Sequence, residues 1–478
     1  MQSLTNNAIA WGAFQLQGGW RNIAATAIGY GVVVVVGLTA AAQFATIPVG
    51  SIMYRLLMAM LAAQALWLLL FAPSRIQTAL RRDLTTGMIE SHRLMPLSPA
   101  RAIVGYLVGP SVQPLALAVM TFFVGCFAAN AASVELPRWI VANFLVLELA
   151  AIAWIVMGAA AMANAQGAFI AITFILPSVI NTRAVHALPG GVLLVPPLVG
   201  KTVFEMTGEI TRVHVAGFLL HGALAAIFLR AAARKYVRTD ATAFTPLMGL
   251  GLLACWSVSS IVAMRWWDEV RPAAMRWSTH DVDGLTILFT TVAAAFVGMS
   301  AVTKSVWPSR ELREERSVAT IGIPLGVSLA ATVIAILPPA FAAEELWLLP
   351  RAQALAYTAV PLLATFLSSC LLAKAFYLHG LSAWMPLAGW LALMCVVPIG
   401  YDMTQHALAN ANDDFAMGAL SDLSPIGILH AVWRRGTAPA LLAVAAQFAY
   451  VVITGAILAA SLAWRKRARA INPNDVAR

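Results

Sequence analysis

Charged residues are scarce in this chain. Asp, Glu, Lys and Arg together make up 11% of its 478 residues, whereas hydrophobic residues make up 60%. A soluble globular domain usually has a charged share of about a quarter and an apolar share of about half, because its surface must be hydrated. The composition therefore excludes a soluble globule and predicts a protein that crosses a membrane several times.

Cysteine is also scarce. The chain has four cysteines, each inside an apolar run, namely Cys126, Cys255, Cys370 and Cys395. No two of them have the spacing of a metal or redox site, and a small buried side chain is the ordinary role of such a residue in a core. We therefore predict neither a metal site nor a redox centre.

Catalytic motifs are missing as well. The chain contains no HExxH pattern and no Ser-His-Asp constellation that the sequence would reveal. The tripeptide Gly200-Lys201-Thr202 ends like a phosphate-binding loop, but Val195 stands where such a loop requires glycine. We predict no catalytic residue and no bound cofactor.

Long apolar runs are abundant. A helix needs about 20 mostly apolar residues to cross the hydrocarbon core, and no short alternating segments of the kind found in a β-barrel occur. We therefore predict an all-α membrane protein with about twelve transmembrane helices. The predicted spans are 22–44, 56–70, 103–128, 139–163, 167–180, 213–229, 244–264, 284–302, 321–338, 353–373, 383–400 and 438–463.

Basic residues are concentrated in alternate loops. With the amino terminus placed inside, 20 of the 31 Lys and Arg residues fall in inner segments, and most acidic residues fall in outer ones. Because loops rich in Lys and Arg stay inside, we predict a multi-pass protein of a bacterial inner membrane with both termini cytoplasmic. The net charge of +10 is then explained by topology and by contact with anionic membrane lipids, so no nucleic-acid partner is expected.

The predicted spans divide into two sets of six. We place the boundary between residues 1–240 and 241–478, after a basic run at 230–238. Each half has a long outer loop before its last span, which indicates a six-plus-six arrangement. The second half carries a charged segment, 304–316, at the position that corresponds to the polar segment described next.

A polar, basic segment lies between the second and third predicted spans, at residues 81–105. It resembles the cytoplasmic loop after the second span in permease subunits of type-2 ATP-binding-cassette exporters. The residues that carry this resemblance are Gly87, Glu90, Pro96-Leu97-Ser98, Ile103 and Gly105.

The resemblance implies that residues 75–102 couple this chain to a separate cassette ATPase. The chain departs from the family pattern at Met88 and Tyr106, where Thr and Lys are usual, and segment 304–316 lacks the Pro-Leu-Ser step, which indicates a degenerate second loop. The implied coupling residues are Arg81, Arg82, Asp83, Gly87, Glu90, Pro96, Leu97, Ser98 and Gly105.

The residues of this segment also predict a short helix. Thr85 or Thr86 is suited to cap it, with Glu90 in its first turns, and Pro96 and Pro99 would end it before the third span. A short, rigid helix at the membrane surface is able to transmit a push from a soluble partner. The alternative is a basic loop that only fixes the topology and has no partner.

Glu148 is the one carboxylate that we place well inside a predicted span. An ionisable group in lipid is costly and usually faces the interior of a bundle or a cavity. We predict that Glu148 lies in the interior, either on a transport pathway, as a substrate contact or proton site, or as a hydrogen-bonded packing residue. His221 and Gln64 are weaker candidates of the same kind.

The leading functional hypothesis is the membrane-spanning permease subunit of an ATP-driven exporter, which would not itself be an enzyme. An ion-coupled secondary transporter and a non-transport membrane assembly protein are the alternatives. A twelve-span chain is able to supply a whole pore or to form a homodimer, and the sequence decides neither that question nor the substrate. Residues 1–20 mix apolar and amide side chains and predict either an interfacial helix or a disordered tail.

Overall fold

A computed structural model of the chain describes residues 7–43, 49–162, 210–238, 243–270, 317–341, 348–379, 384–398, 401 and 421–471. Every regular element in this part of the chain is helical, so the predicted all-α class is confirmed. Six helices are long and apolar enough to cross a membrane, and they indicate a multi-span membrane protein. They are Gly19–Gly37, Gly50–Thr85, Pro99–Ala131, Leu136–Met162, Arg351–Phe376 and Leu441–Trp464.

These six segments coincide with six of the predicted spans. Four further predictions, 213–229, 244–264, 321–338 and 383–400, fall at least largely on helices that are not among the six. The predicted spans 167–180 and 284–302 lie outside the described residues, so the total of twelve stays a prediction.

The chain divides into two compact units, with the described residues up to Ala243 in the first and those from Phe244 onward in the second. The described helices of the first unit are α1 Ala8–Leu16, α2 Gly19–Gln43, α3 Val49–Leu66, α4 Ala72–Thr85, α5 Met88–Arg93, α6 Pro99–Ala131, α7 Leu136–Met162 and α8 Ile210–Val237. Those of the second are α9 Pro246–Val270, α10 Ser317–Ala340, α11 Arg351–Leu378, α12 Trp384–Leu391, α13 Pro425–His430 and α14 Leu441–Ile471.

The second predicted span is part of a much longer helical segment. Helices α3 and α4 run into each other through a single π turn, Trp67–Phe71, which lets the helix continue with one bulge. The segment therefore continues to Thr85, well past the predicted end of the span at residue 70. Residues 75–85, which the sequence analysis assigned to the coupling loop, are the last turns of this helix.

Helix α1 begins at a side-chain cap and packs on α6. The Asn7 Oδ1 accepts a hydrogen bond from the Ala10 backbone N–H at 3.2 Å, and its Nδ2 donates to the Arg101 carbonyl at 2.7 Å. A methyl group added at Gly109 of α6 would lie 2.8 Å from the Ala10 carbonyl oxygen, so only glycine permits this close approach. Of the two predicted alternatives for residues 1–20, a helix is the one found for Ala8–Leu16.

Helix α7 is held against its neighbours by two buried tryptophans. Trp139 Nε1 donates to the Phe122 carbonyl of α6 at 3.0 Å, and Trp154 Nε1 donates to the Leu68 carbonyl in the π turn at 2.7 Å. These bonds satisfy carbonyl and indole groups that would otherwise be costly in an apolar surrounding. They also set the depth at which each residue of α7 lies relative to α3 and α6.

Helices α7 and α8 pack side by side and run in the same direction. The Phe144 and Phe218 ring centroids lie 6.1 Å apart, and one turn further along both helices Glu148 meets His221. Two parallel helices have their first residues at the same end of the bundle. The end of α7 at Met162 and the start of α8 at Ile210 are therefore at opposite ends.

The second unit has its own core around α11. Leu362, Phe366 and Cys370 of this helix are fully buried against α9, α10 and α12. Further along, the Trp433 indole N–H donates to the Thr358 hydroxyl at 2.9 Å. The buried Trp433 side chain therefore has its polar atom hydrogen-bonded.

Candidate functional site

The predicted coupling segment forms a tight turn followed by a helix. Gly87 has a φ of 74°, a left-handed conformation that favours glycine, and it directly precedes α5. The prediction that Thr85 or Thr86 caps this helix is wrong. Both hydroxyls donate instead to the Arg82 carbonyl at 2.9 Å and so close the end of α4.

Asp83 is buried, and its carboxylate lies next to two neighbouring side chains. Its Oδ2 accepts a hydrogen bond from the Tyr106 hydroxyl at 3.0 Å, and His92 Nδ1 lies 2.5 Å from the same hydroxyl and 3.7 Å from the carboxylate. Because the tyrosine donates to Asp83, its oxygen is left to accept from the His92 N–H. These three side chains tie together the end of α4, α5 and the first turns of α6.

A second contact ties α5 to the end of α8. Arg93 Nε donates to the Tyr236 carbonyl at 2.6 Å, and the guanidinium carbon lies 5.7 Å from the centre of the Tyr236 ring. Arg93 also pairs with Glu90 at 2.6 Å. Burial raises the pKa of Tyr236 above its usual value, which outweighs the opposite effect of the Arg93 charge. The phenol therefore stays neutral at physiological pH.

One face of the same segment is exposed. The side chain of Glu90 is 66% exposed, and Leu94 is 88% exposed. Met88, Pro96 and Ser98 are exposed as well, while Ile89 is buried. The outer face of residues 87–98 therefore exposes apolar and acidic side chains. The inner face of the same segment is held by contacts with α4, α6 and α8.

The other predicted coupling residues have separate surroundings. Arg81 and Arg82 are exposed on α4, and Arg82 lies 3.5 Å from Asp83. Leu97 is half-buried, and Ser98 caps α6 through a hydrogen bond from the Arg101 N–H at 3.4 Å.

Gly105 is not on the exposed face. It lies inside α6, where an added methyl group would approach the Asn7 Oδ1 to 2.5 Å, so its surroundings are those of a packing residue under α1. The sequence gives no signal for this long-range contact.

The second feature of interest is an acid–base pair in the interior of the first unit. Glu148 lies in the bundle interior, as the sequence predicts, with its side chain 8% exposed. Its Oε1 lies 2.5 Å from Nδ1 of His221, whose side chain is 3% exposed. Sequence analysis singled out both residues but did not pair them. Gln64, the third residue of that set, is buried on α3.

Two predicted features, segment 304–316 and the tripeptide Gly200-Lys201-Thr202, lie outside the described residues. Within the described ranges, no three His, Cys, Asp or Glu side chains are grouped so as to hold a metal ion.

No protein-family model, curated protein or solved structure matches this chain.

Proposed function

We propose that this chain is the membrane-spanning permease subunit of an ATP-driven exporter in a bacterial inner membrane, with both termini cytoplasmic. Residues 87–98 dock on a separate cassette ATPase, and the chain itself hydrolyses nothing. The observation that carries the proposal is the two-sided character of α5, which is fastened to the bundle on one face and exposed on the other.

The fastened face suits a part that must transmit force. Asp83, Tyr106 and His92 join α5 to α4 and α6, and Arg93 joins it to α8. A displacement of α5 is therefore passed directly to three helices of the bundle. A loop that only fixed the topology would need no such fastening.

The exposed face suits a protein contact. Met88 and Leu94 expose large apolar side chains at the start of α5 and just after its end, and the exposed Glu90 lies between them. Apolar groups surrounded by polar ones are typical of protein interaction sites. The basic residues Arg81, Arg82 and Arg101 flank this face and would direct an acidic partner surface to it.

Site-specific crosslinking tests the proposal. Single cysteines at Glu90→Cys and Ser98→Cys, in a background lacking the native cysteines, are expected to crosslink in cells to a protein of cassette-ATPase type. The matched control is Glu135→Cys, an exposed carboxylate in the turn at the opposite end of α6 and α7, which should not crosslink to it.

The Glu90→Lys variant supplies a functional measurement. Reversal of a charge at a protein contact typically costs a few kcal/mol. We expect the variant to insert normally but to lose stimulation of its ATPase and export. Wild-type export and stimulation by Glu90→Lys, or crosslinks that never reach an ATPase, would contradict the docking proposal.

An ion-coupled secondary transporter is the second candidate, and the Glu148–His221 pair is the observation that favours it. Ion-coupled carriers need ionisable groups inside the membrane. Transport by purified protein in liposomes under an ion gradient, without an ATPase or ATP, would select this candidate. Transport only in the presence of a co-purifying ATPase would select the exporter.

A further inference from the structure

Glu148 and His221 form a buried acid–base pair. Their side chains are 8% and 3% exposed, and Oε1 and Nδ1 are 2.5 Å apart. Both residues lie well within their helices, α7 and α8. A charged carboxylate or imidazolium without a partner would cost several kcal/mol in such surroundings, so the two groups stabilise each other.

The register of the neighbouring helices shows what else lies at this depth. Trp139 meets Phe122 and Trp154 meets Leu68, which places residues near Gln113 of α6 and Ala62 of α3 opposite Glu148. Within about two helical turns these stretches contain Arg55 and Tyr106 at their edges, and the Arg75 guanidinium of α4 reaches the Gln113 side chain. Among the described residues, the pair is the one contact between a carboxylate and an imidazole at this depth.

The other ionisable groups on the elements packed against the pair lie further along each helix. At 1.5 Å per residue, they are roughly 10 to 20 Å away along the helix axes. By their positions on the described elements they are Tyr54 and Arg55 of α3, Tyr106 and Cys126 of α6, Arg138 of α7 and Arg212, His214 and Arg230 of α8.

We propose that Glu148 and His221 form a proton-binding site that gains and releases a single proton. With one proton between them, the pair is either a carboxylate facing an imidazolium or a carboxyl facing a neutral imidazole, and both forms are neutral overall. A second proton makes the pair cationic, with a carboxyl beside an imidazolium. No bond other than a bond to hydrogen forms or breaks.

His221 lies on the helix whose far end is held by α5. His221 and Tyr236 are roughly 22 Å apart along the axis of this helix, and Tyr236 is the residue that Arg93 of α5 contacts. In the observed arrangement the pair is closed to solvent, with side chains 8% and 3% exposed. The proposed proton site does not depend on whether α5 docks on an ATPase.

Infrared difference spectroscopy of the purified full-length chain in lipid nanodiscs tests this site with the proton itself as the ligand. Spectra are recorded from about pH 5 to pH 9, an interval that includes the pH range in which histidine ordinarily changes charge. We expect the wild-type spectra to contain a carboxyl carbonyl band that the Glu148→Gln variant lacks. The Glu135→Gln variant is the matched control, since its carboxylate is exposed and paired with Arg138, and it should keep this band.

The His221→Asn variant tests the pairing. We expect the titration midpoint of the Glu148 band to move by at least about one pH unit, a tenfold change in proton affinity. If Glu148→Gln does not fold, Glu148→Asp keeps a carboxyl at the site and should shift the midpoint without removing the band. A purely structural role would change the melting temperature of these variants and leave no titrating band.

Three outcomes would overturn the proposal. The first is a Glu148→Gln spectrum identical to the wild type across this pH range. The second is a midpoint that is unchanged in His221→Asn or in Glu148→Asp. The third is a midpoint that follows the sodium concentration at constant pH and ionic strength, which would assign the site to a metal cation.

Discussion

At the scale of single residues, burial changes the roles that spacing alone assigns. Asp83 stands among basic residues in the sequence, yet its carboxylate is buried and accepts the Tyr106 hydroxyl. Tyr106 is one of the two positions at which the chain differs from the exporter-permease pattern that residues 81–105 resemble. This difference and the buried Asp83 belong to the same contact.

The Tyr106→Phe variant tests the importance of this contact. Without the hydroxyl, Asp83 loses its hydrogen-bond donor at 3.0 Å and His92 loses its acceptor. Removal of one partner from a buried polar contact typically costs about 1–3 kcal/mol, so we expect a lower free energy of unfolding. Chemical or thermal unfolding of the detergent-purified protein measures it.

The matched control for that variant is Tyr401→Phe, because the Tyr401 side chain is about half exposed. It should unfold like the wild type. Equal stability of Tyr106→Phe and the wild type would show that the Asp83 contact contributes nothing net to the fold.

The burial of Glu148 is predictable from the sequence, but the side chain that contacts it is not. Glu148 is conspicuous in an apolar run, so its burial is predictable from the cost of a charge in lipid. Its pairing with His221 depends on the parallel packing of α7 and α8, which are 47 residues apart in the chain. Gly105 shows the same limit, since the contact that requires glycine comes from Asn7.

At the scale of helices, α5 is a short helix that depends on its neighbours. Six residues are too few for a stable isolated helix, so tertiary contacts must hold α5 in place. Arg93 supplies two of these contacts, to the Tyr236 carbonyl and to the Tyr236 ring, and it also pairs with Glu90 within α5. The stability of α5 should therefore depend strongly on this one side chain.

The Arg93→Ala variant should release α5 from α8 while the bundle stays folded. We expect amide hydrogen exchange in Met88–Arg93 to become at least about tenfold faster, which corresponds to the loss of roughly 1.4 kcal/mol of local stability. Hydrogen exchange followed by mass spectrometry measures this change.

Arg101→Ala removes the same charge from an exposed position on α6 and serves as its control. Exchange in α5 should remain slow in this variant. Equally slow exchange in Arg93→Ala would mean that the Asp83 contact alone holds α5, and force transmission to α8 would need another route.

Composition predicted the presence of the long helices far better than it predicted the residues at which they end. Apolar runs predicted the long helices because a continuous apolar stretch of about 20 residues has few other stable forms. The ends depended on local details, such as the π turn that lets α3 continue into α4 and the left-handed Gly87. Neither detail has a distinctive signal in the apolar pattern, and the threonines that looked like a cap close the preceding helix instead.

At the scale of the whole molecule, the alternation of basic and acidic loops predicts which parts share a side of the membrane. Within the first unit, the chain reverses direction in the turn between α6 and α7, at Glu135, and in the segment that holds α5. These two turns are at opposite ends of α6. The parallel packing of α7 and α8 is the arrangement that an odd number of crossings between them would produce.

Accessibility labelling tests the predicted orientation of these turns. With the four native cysteines replaced, Leu94→Cys is expected to react with a membrane-impermeant maleimide only in inverted vesicles, because the basic segment around α5 is predicted to be cytoplasmic. Glu135→Cys is expected to react from the outside in intact cells. Both positions are exposed, at 88% for the Leu94 residue and 69% for the Glu135 side chain, so their reactivity reports on sidedness and not on burial. Labelling of Leu94→Cys from outside would invert the whole topology, place α5 out of reach of any cytoplasmic ATPase, and leave the ion-coupled transporter as the better account of the chain.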